Sequence, residues 1–130
     1  MTTNNILFHE FSSAYLWAIL DTETDDDGEP LSDAFDADDF SPEAQKQMEA
    51  DCILFLQLAG DMIRDEELPG DRRTIYEQAG YDFWMSRVGH GVGFWEQSDW
   101  PKSGKELDKI AKSFKSTDVY IGDDEQLYFS

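Results

Sequence analysis

The chain is poor in the residues that build covalent or metal-centred chemistry. Among its 130 residues there is one cysteine, Cys52, and there are two histidines, His9 and His90. A lone cysteine excludes an internal disulfide, and two histidines are too few for a four-ligand zinc site of the usual kind. No metal or cofactor is expected, and a reducing cytoplasm suits such a chain. Long hydrophobic runs are also missing. The most apolar stretch, ILFHEFSSAYLWAIL, is interrupted by His9, Glu10 and two serines, and no Lys or Arg precedes it as a secretory signal requires. We therefore expect no targeting segment.

Positive charge is scarce. Lys and Arg total 10 against 29 Asp and Glu, a formal charge of −19. That exceeds what solubility needs. The field of such a surface repels nucleic acids and anionic membranes and attracts basic proteins. The expected partner is a basic protein, with no direct nucleic-acid or membrane binding.

What is present suits one domain with one core. Leu7, Phe11, Ala14, Tyr15 and Ala18 keep helical spacing and predict a mostly buried N-terminal helix within residues 1–20. Residues 21–40, DTETDDDGEPLSDAFDADDF, carry Gly28 and Pro30, no basic residue and frequent acids, and are expected to form an acidic arm or loop. Ser41-Pro42-Glu43 is a strong helix start: a hydroxyl cap, proline at the first position and an acid in the first turn. Ala44, Met48, Cys52, Phe55, Leu56, Ala59, Met62 and Ile63 then keep the helical period, predicting a long core helix over 41–66.

A short helical piece is expected at RTIYEQA. From Tyr81 the period changes, and two aromatic-rich runs flank VGHG in DFWMSRVGHGVGFW, the signature of a β-hairpin whose tip is Arg87, Gly89, His90 and Gly91. Ser103-Gly-Lys-Glu106 has the form of a capping box. It opens a helix with core face Leu107, Ile110, Ala111 and Phe114 and a lysine stripe, Lys102, Lys105, Lys109 and Lys112. VYI and LYF around GDDEQ signal a second hairpin. Residues 80–130 are thus expected as β-β-α-β-β, and the whole as an α+β domain with two or three helices on one face of a small antiparallel sheet.

Four candidate chemistries follow. His90, between glycines, has the exposure a general base needs, but no nucleophile, second histidine or cysteine accompanies it, and we read it as a hairpin tip. A catalytic His90 would require convergence with a carboxylate such as Asp82 or Asp118. Aligning Gly28 with the sixth position of a calcium loop puts Glu23, Asp25 and Asp27 at the first, third and fifth. Position twelve is then Ala34, where a bidentate glutamate is needed, and the match fails. Phe83, Trp84, Phe94, Trp95 and Trp100 could form a platform for single-stranded nucleic acid. Adjacent strand residues point to opposite faces, so part of each pair is core, and the lysines interleave with Glu106 and Asp108 as ion pairs.

The fourth candidate is the acidic arm itself. Residues 21–43 hold 11 carboxylates and no cation, interleaved with Leu31, Phe35 and Phe40. Apolar anchors of this kind separate a surface from a tail. B-DNA carries about one charge per 1.7 Å of axis, so carboxylates displayed on a rigid body can compete for a phosphate-binding groove. The expected contacts are Asp25, Asp26, Asp27, Asp36, Asp38 and Asp39, continued at Asp61, Asp65, Glu66 and Glu67.

AGYDFWMSRVGHGVGFWE and GKELDKIAKSFKSTDVYIGDDEQLYF resemble a group of small acidic bacteriophage and prophage proteins. Their pattern is D-F-W, an Arg, G-H-G-x-G-F-W, a Leu/Ala/Phe helix and D-x-Y-x-G-D-D. Here the matching residues are Asp82-Phe83-Trp84, Arg87, Gly89-His90-Gly91, Gly93-Phe94-Trp95, Leu107, Ala111, Phe114, Asp118, Tyr120 and Gly122-Asp123-Asp124. FSPEAQKQMEADCILF is similar to the preceding helix, so the resemblance spans about residues 38–129. The arm is more acidic than the family pattern. The resemblance implies expression in the cytoplasm of an infected bacterium and no catalytic residues. The leading expectation is a non-enzymatic, DNA-mimic-type inhibitor of a DNA-handling or anti-phage defence protein. The alternative is a recognition module acting through the hairpin tip, and a homodimer remains open.

Overall fold

The computed structural model describes residues 2–66, 74–89, 93–94 and 100–130, with side chains from residue 6 onward in the first helix. Its order is α1 (Thr2–Thr22), two 3-10 turns (Leu31–Asp33 and Ala37–Asp39), α2 (Pro42–Ala59), α3 (Ile75–Val88), α4 (Gly104–Ser113), β1 (Val119–Ile121) and β2 (Leu127–Phe129). The content is α+β, dominated by helix. The two strands pair antiparallel, Val119 opposite Phe129 and Ile121 opposite Leu127, as the GDDEQ turn predicts.

The helix start read at Ser41 is observed: its hydroxyl accepts the Ala44 N–H at 3.0 Å, with Pro42 in the first helical position. Regular α2 stops earlier than expected, at Ala59. Gly60 there takes φ +57° and the chain continues in turns rather than helix. Ile63 is nevertheless buried, so the apolar period survives the end of the helix.

The largest correction falls at residues 81–88. They are the second half of α3 and not a strand, and Gly93 and Phe94 beyond them lie in a bend and a turn. Among the described residues the arrangement β-β-α-β-β therefore gives way to helices followed by one hairpin. The reason is physical. Ala79, Gly80, Asp82, Phe83, Trp84, Met85 and Ser86 are all buried, and a helix enclosed on every side has no amphipathic period to read. Gly89 misled for a related reason, since it takes φ +73° and its N–H bonds the Met85 carbonyl, closing α3. Hairpin tips and helix C-termini both recruit glycine for positive φ. The helix start was legible. Thr74-x-x-Glu77 forms a reciprocal capping box, Glu77 N–H to Thr74 Oγ1 at 3.1 Å and Thr74 N–H to Glu77 Oε1 at 2.8 Å.

The core lies mainly between helices, with Leu127 the buried residue that the sheet contributes. α1 and α3 pack closely at Gly80, where a Cβ would collide with the Phe11 carbonyl oxygen and press on the Ala14 Cβ. Tyr81 Oη to Asp21 and Thr74 Oγ1 to Glu10 bond the same two helices together. Aromatic rings fill the interior: Phe83 stacks on Phe55 at 4.3 Å between centroids and meets Tyr15, Phe11 and Phe114. Phe94 continues the chain of rings from Phe55 to Trp100. Phe83, Trp84, Phe94 and Trp100 are fully buried, so none of them is a stacking platform.

α4 carries the second correction. Ser103 makes no side-chain cap bond, and its φ of −122° with ψ of 7° is not the extended geometry of an N-cap. Glu66 replaces it. Its Oε2 accepts the N–H of Lys102 at 3.0 Å and of Ser103 at 2.7 Å. A carboxylate there also meets the positive end of the helix dipole. Glu66→Ala is expected to destabilise the fold by about 1–3 kcal/mol, the loss incurred when buried donors go unpaired. Ser103→Ala should move stability by no more than about 0.5 kcal/mol. Urea titrations of the two variants make the comparison, and the reverse order would refute Glu66 as the cap.

Candidate functional site: an acidic interaction surface

The arm is built, not trailing. α1 hands over to it through the Glu23 N–H to Ile19 carbonyl bond, and a bridge between Thr24 and Pro30 closes the first loop. Within that loop Asp25 Oδ1 accepts the N–H groups of Asp27 (2.9 Å) and Glu29 (3.0 Å). Asp36 caps the second 3-10 turn by accepting the Asp38 N–H at 2.9 Å. Asp39 returns the bond to the Asp36 N–H at 2.8 Å.

Two of the three expected anchors, Leu31 and Phe40, are buried, and Phe35 packs half-buried against the core. Phe40 also bridges to Leu127 of β2, and the Ser41 N–H bonds the Leu127 carbonyl at 2.9 Å.

The six arm aspartates thus divide by role. Asp25, Asp36 and Asp39 staple the backbone with their carboxylates. Asp26, Asp27 and Asp38 are exposed, and their carboxylates bond nothing among the described residues. Glu29 and Asp33, not singled out from sequence, are exposed on the same arm. Charge is segregated along the chain as well: residues 1–65 hold 16 acidic and two basic side chains, and residues 66–130 hold 13 and eight.

The downstream acids do not extend this surface as expected. Asp61 and Asp65 are exposed, but they follow the far end of α2, whose 18 residues span about 27 Å. Asp61 is also paired with Arg64 at 2.8 Å. Glu66 is buried at the start of α4 and contributes no surface charge. Glu67 lies outside the described residues.

Arg87 and Gly89, two of the four expected tip residues, belong to the end of α3 and not to a hairpin. His90 and Gly91 lie outside the described residues, and Gly89 closes a helix. Arg87 turns inward. Its Nη1 donates to Asp51 Oδ2 at 2.8 Å and Tyr15 Oη at 3.0 Å, its Nε to the Lys115 carbonyl at 2.8 Å, and its Nη2 to the Phe114 carbonyl at 3.4 Å. The guanidinium carbon also sits 5.6 Å from the Phe114 ring centroid. Burial holds the Tyr15 phenol protonated well above its ordinary range, against the opposing pull of Arg87.

This network floors a cleft of about 480 Å³ lined in part by Glu43, Gln47, Thr117, Tyr120 and Tyr128. With all its nitrogens engaged, Arg87 acts there as a structural clasp rather than an anion receptor. Asp82 is equally committed, accepting from Trp100 Nε1 at 2.7 Å and Gln78 Nε2 at 3.1 Å. Cys52 is fully buried, and burial followed by the charge of Asp51 pushes its thiol up, the state of an unreactive cysteine.

Among the described residues no group of three or more His, Cys, Asp or Glu is disposed to hold a metal ion. No described helix is long and apolar enough to cross a membrane. The lysine stripe of α4 is partly consumed by its own helix, Lys112 pairing Asp108 at 2.7 Å and Lys109 approaching Glu106 at 4.0 Å.

A scan against protein-family models finds no match, and searches of curated proteins and of solved structures find none either.

Proposed function

We propose that this chain is a non-enzymatic acidic interaction protein of phage type, which presents its arm to the phosphate-binding surface of a basic, DNA-handling host protein and so excludes DNA. The target class is a restriction, CRISPR or similar defence enzyme, and the site of action is the cytoplasm of the infected bacterium. One observation carries the reading: the acidic residues of 21–40 are fixed on the body by buried Leu31 and Phe40 and by carboxylate-to-backbone bonds. A pinned array of like charges spends little entropy on binding and keeps its spacing, whereas a solvating tail does neither. The tip-recognition alternative loses support because Arg87 faces the interior.

Converting Asp25, Asp26, Asp27, Asp36, Asp38 and Asp39 to asparagine separates charge from architecture. Asparagine offers the same carbonyl acceptor for the Asp25 and Asp36 turns, and ranks with aspartate as a cap. The fold should therefore persist by circular dichroism while capture of a basic host protein from low-salt lysate falls at least about tenfold, as loss of complementary charge at an interface predicts. Added duplex DNA should displace the wild-type complex. Retention of the partner by the six-asparagine variant, or indifference to duplex DNA, would refute mimicry by the arm.

A further inference from the structure

A second surface lies on α1 and α2. Ile6, Trp17, Ile53, Leu54 and Leu58, five large apolar side chains of α1 and α2, are each 46–52% exposed. Beside them Leu7 and Phe8 of α1, Ile53, Leu56 and Gln57 of α2 with Gly60, and Tyr76 of α3 line an open groove of about 400 Å³. Scattered exposed leucines need no explanation, but a groove adjoined by several of them marks a docking place.

Charge identifies the occupant. Glu49 lies one turn before Ile53, Glu10 one turn after Leu7, and Asp61 follows Gly60 directly. Burial raises the Tyr76 phenol, Arg64 opposes that shift, and Asp61 and Asp65 add to it more weakly. The described cations nearby are Lys46, two turns before Ile53, Arg64, already paired with Asp61, and Lys102, whose Nζ donates to the Asp65 carbonyl at 3.1 Å. A second copy would bring another body of charge −19 against this rim.

We propose that the groove receives a basic amphipathic helix of a partner protein, its apolar stripe seated against Ile53, Leu56 and Tyr76 and its lysines or arginines over Glu10 and Glu49. The groove is formed by side chains that do not belong to the arm, so this contact is independent of DNA mimicry.

The test uses a synthetic lysine-leucine peptide of about five helical turns, with leucines at i, i+3, i+4 and i+7, and a control of identical composition with the leucines dispersed. Titrated against the full chain by calorimetry, the patterned peptide should bind at least about tenfold tighter than the control, and Ile53→Ser/Leu54→Ser should remove that preference. Both residues are half-exposed, so the fold should tolerate serine. Leu54→Ser alone, expected to give a smaller loss, serves as the second variant. The six-asparagine arm variant should keep the preference for the patterned peptide. Equal binding of the two peptides, or a preference untouched by the serine variants, would overturn the proposal. So would a concentration-dependent dimer in sedimentation that Ile53→Ser/Leu54→Ser dissolves, because the groove would then belong to a second copy.

Discussion

Arg87→Met is expected to lower the stability of the fold by about 3–5 kcal/mol, the loss typical when one partner of a buried ion pair is removed. The methionine fills similar space but leaves Asp51 without its cation, and the side chains of that pair are only 9% and 14% exposed. It also strips a donor from Tyr15 Oη and from the carbonyls of Phe114 and Lys115. One side chain thus ties α1, α2, α3 and the segment leaving α4. In urea unfolding the midpoint should fall steeply with an unchanged slope. Arg87→Met/Asp51→Leu should recover part of the loss, since removing both charges relieves the stranded carboxylate. A single variant as stable as the wild type would show the network to be incidental.

Phe83→Ala should be comparably severe, about 3–5 kcal/mol, the range for deleting a fully buried phenyl ring. Phe83 is 0% exposed and touches the rings of Phe11, Tyr15, Phe55 and Phe114, so its removal opens a cavity where α1, α2, α3 and the end of α4 meet. Phe83→Leu, which keeps more of the volume, should cost less than half as much. Thermal melts of the pair decide it. If alanine and leucine behave alike at Phe83, packing around that ring is looser than the 4.3 Å stacking on Phe55 implies.

Much of the fold was legible where local chemistry acts alone. Ser41-Pro42-Glu43 announces α2, Phe11, Tyr15 and Ala18 trace the inner face of α1, and VYI with LYF around GDDEQ gives the hairpin. The signals failed where long-range contacts decide. Phe83, Trp84 and Met85 have the aromatic richness of a strand, yet burial on every side makes them helix. Ser103 has the sequence of a cap, yet Glu66, 37 residues earlier, provides the bonds. No spacing rule relates those two residues.

The candidate surface was half legible. That the arm is acidic follows from composition, and that Leu31 and Phe40 anchor it follows from their interruption of the charge run. That Asp25, Asp36 and Asp39 serve the backbone while Asp26, Asp27 and Asp38 face outward depends on turn geometry. Arg87 was the clearest miss. Its inward course depends on Asp51, Tyr15 and two carbonyls from other elements, which no local pattern contains.

The bridge between Phe40 and Leu127 has a consequence for how the molecule comes into being. The junction of arm and α2 is held by a strand that is synthesised 87 residues later, between partners that local structure cannot bring together. During translation the acidic segment must therefore leave the ribosome well before its clamp exists, and loop closure over that separation is among the slower steps of assembly. The Phe40 bridge and the Ser41 N–H bond to the Leu127 carbonyl can form only once β2 is made.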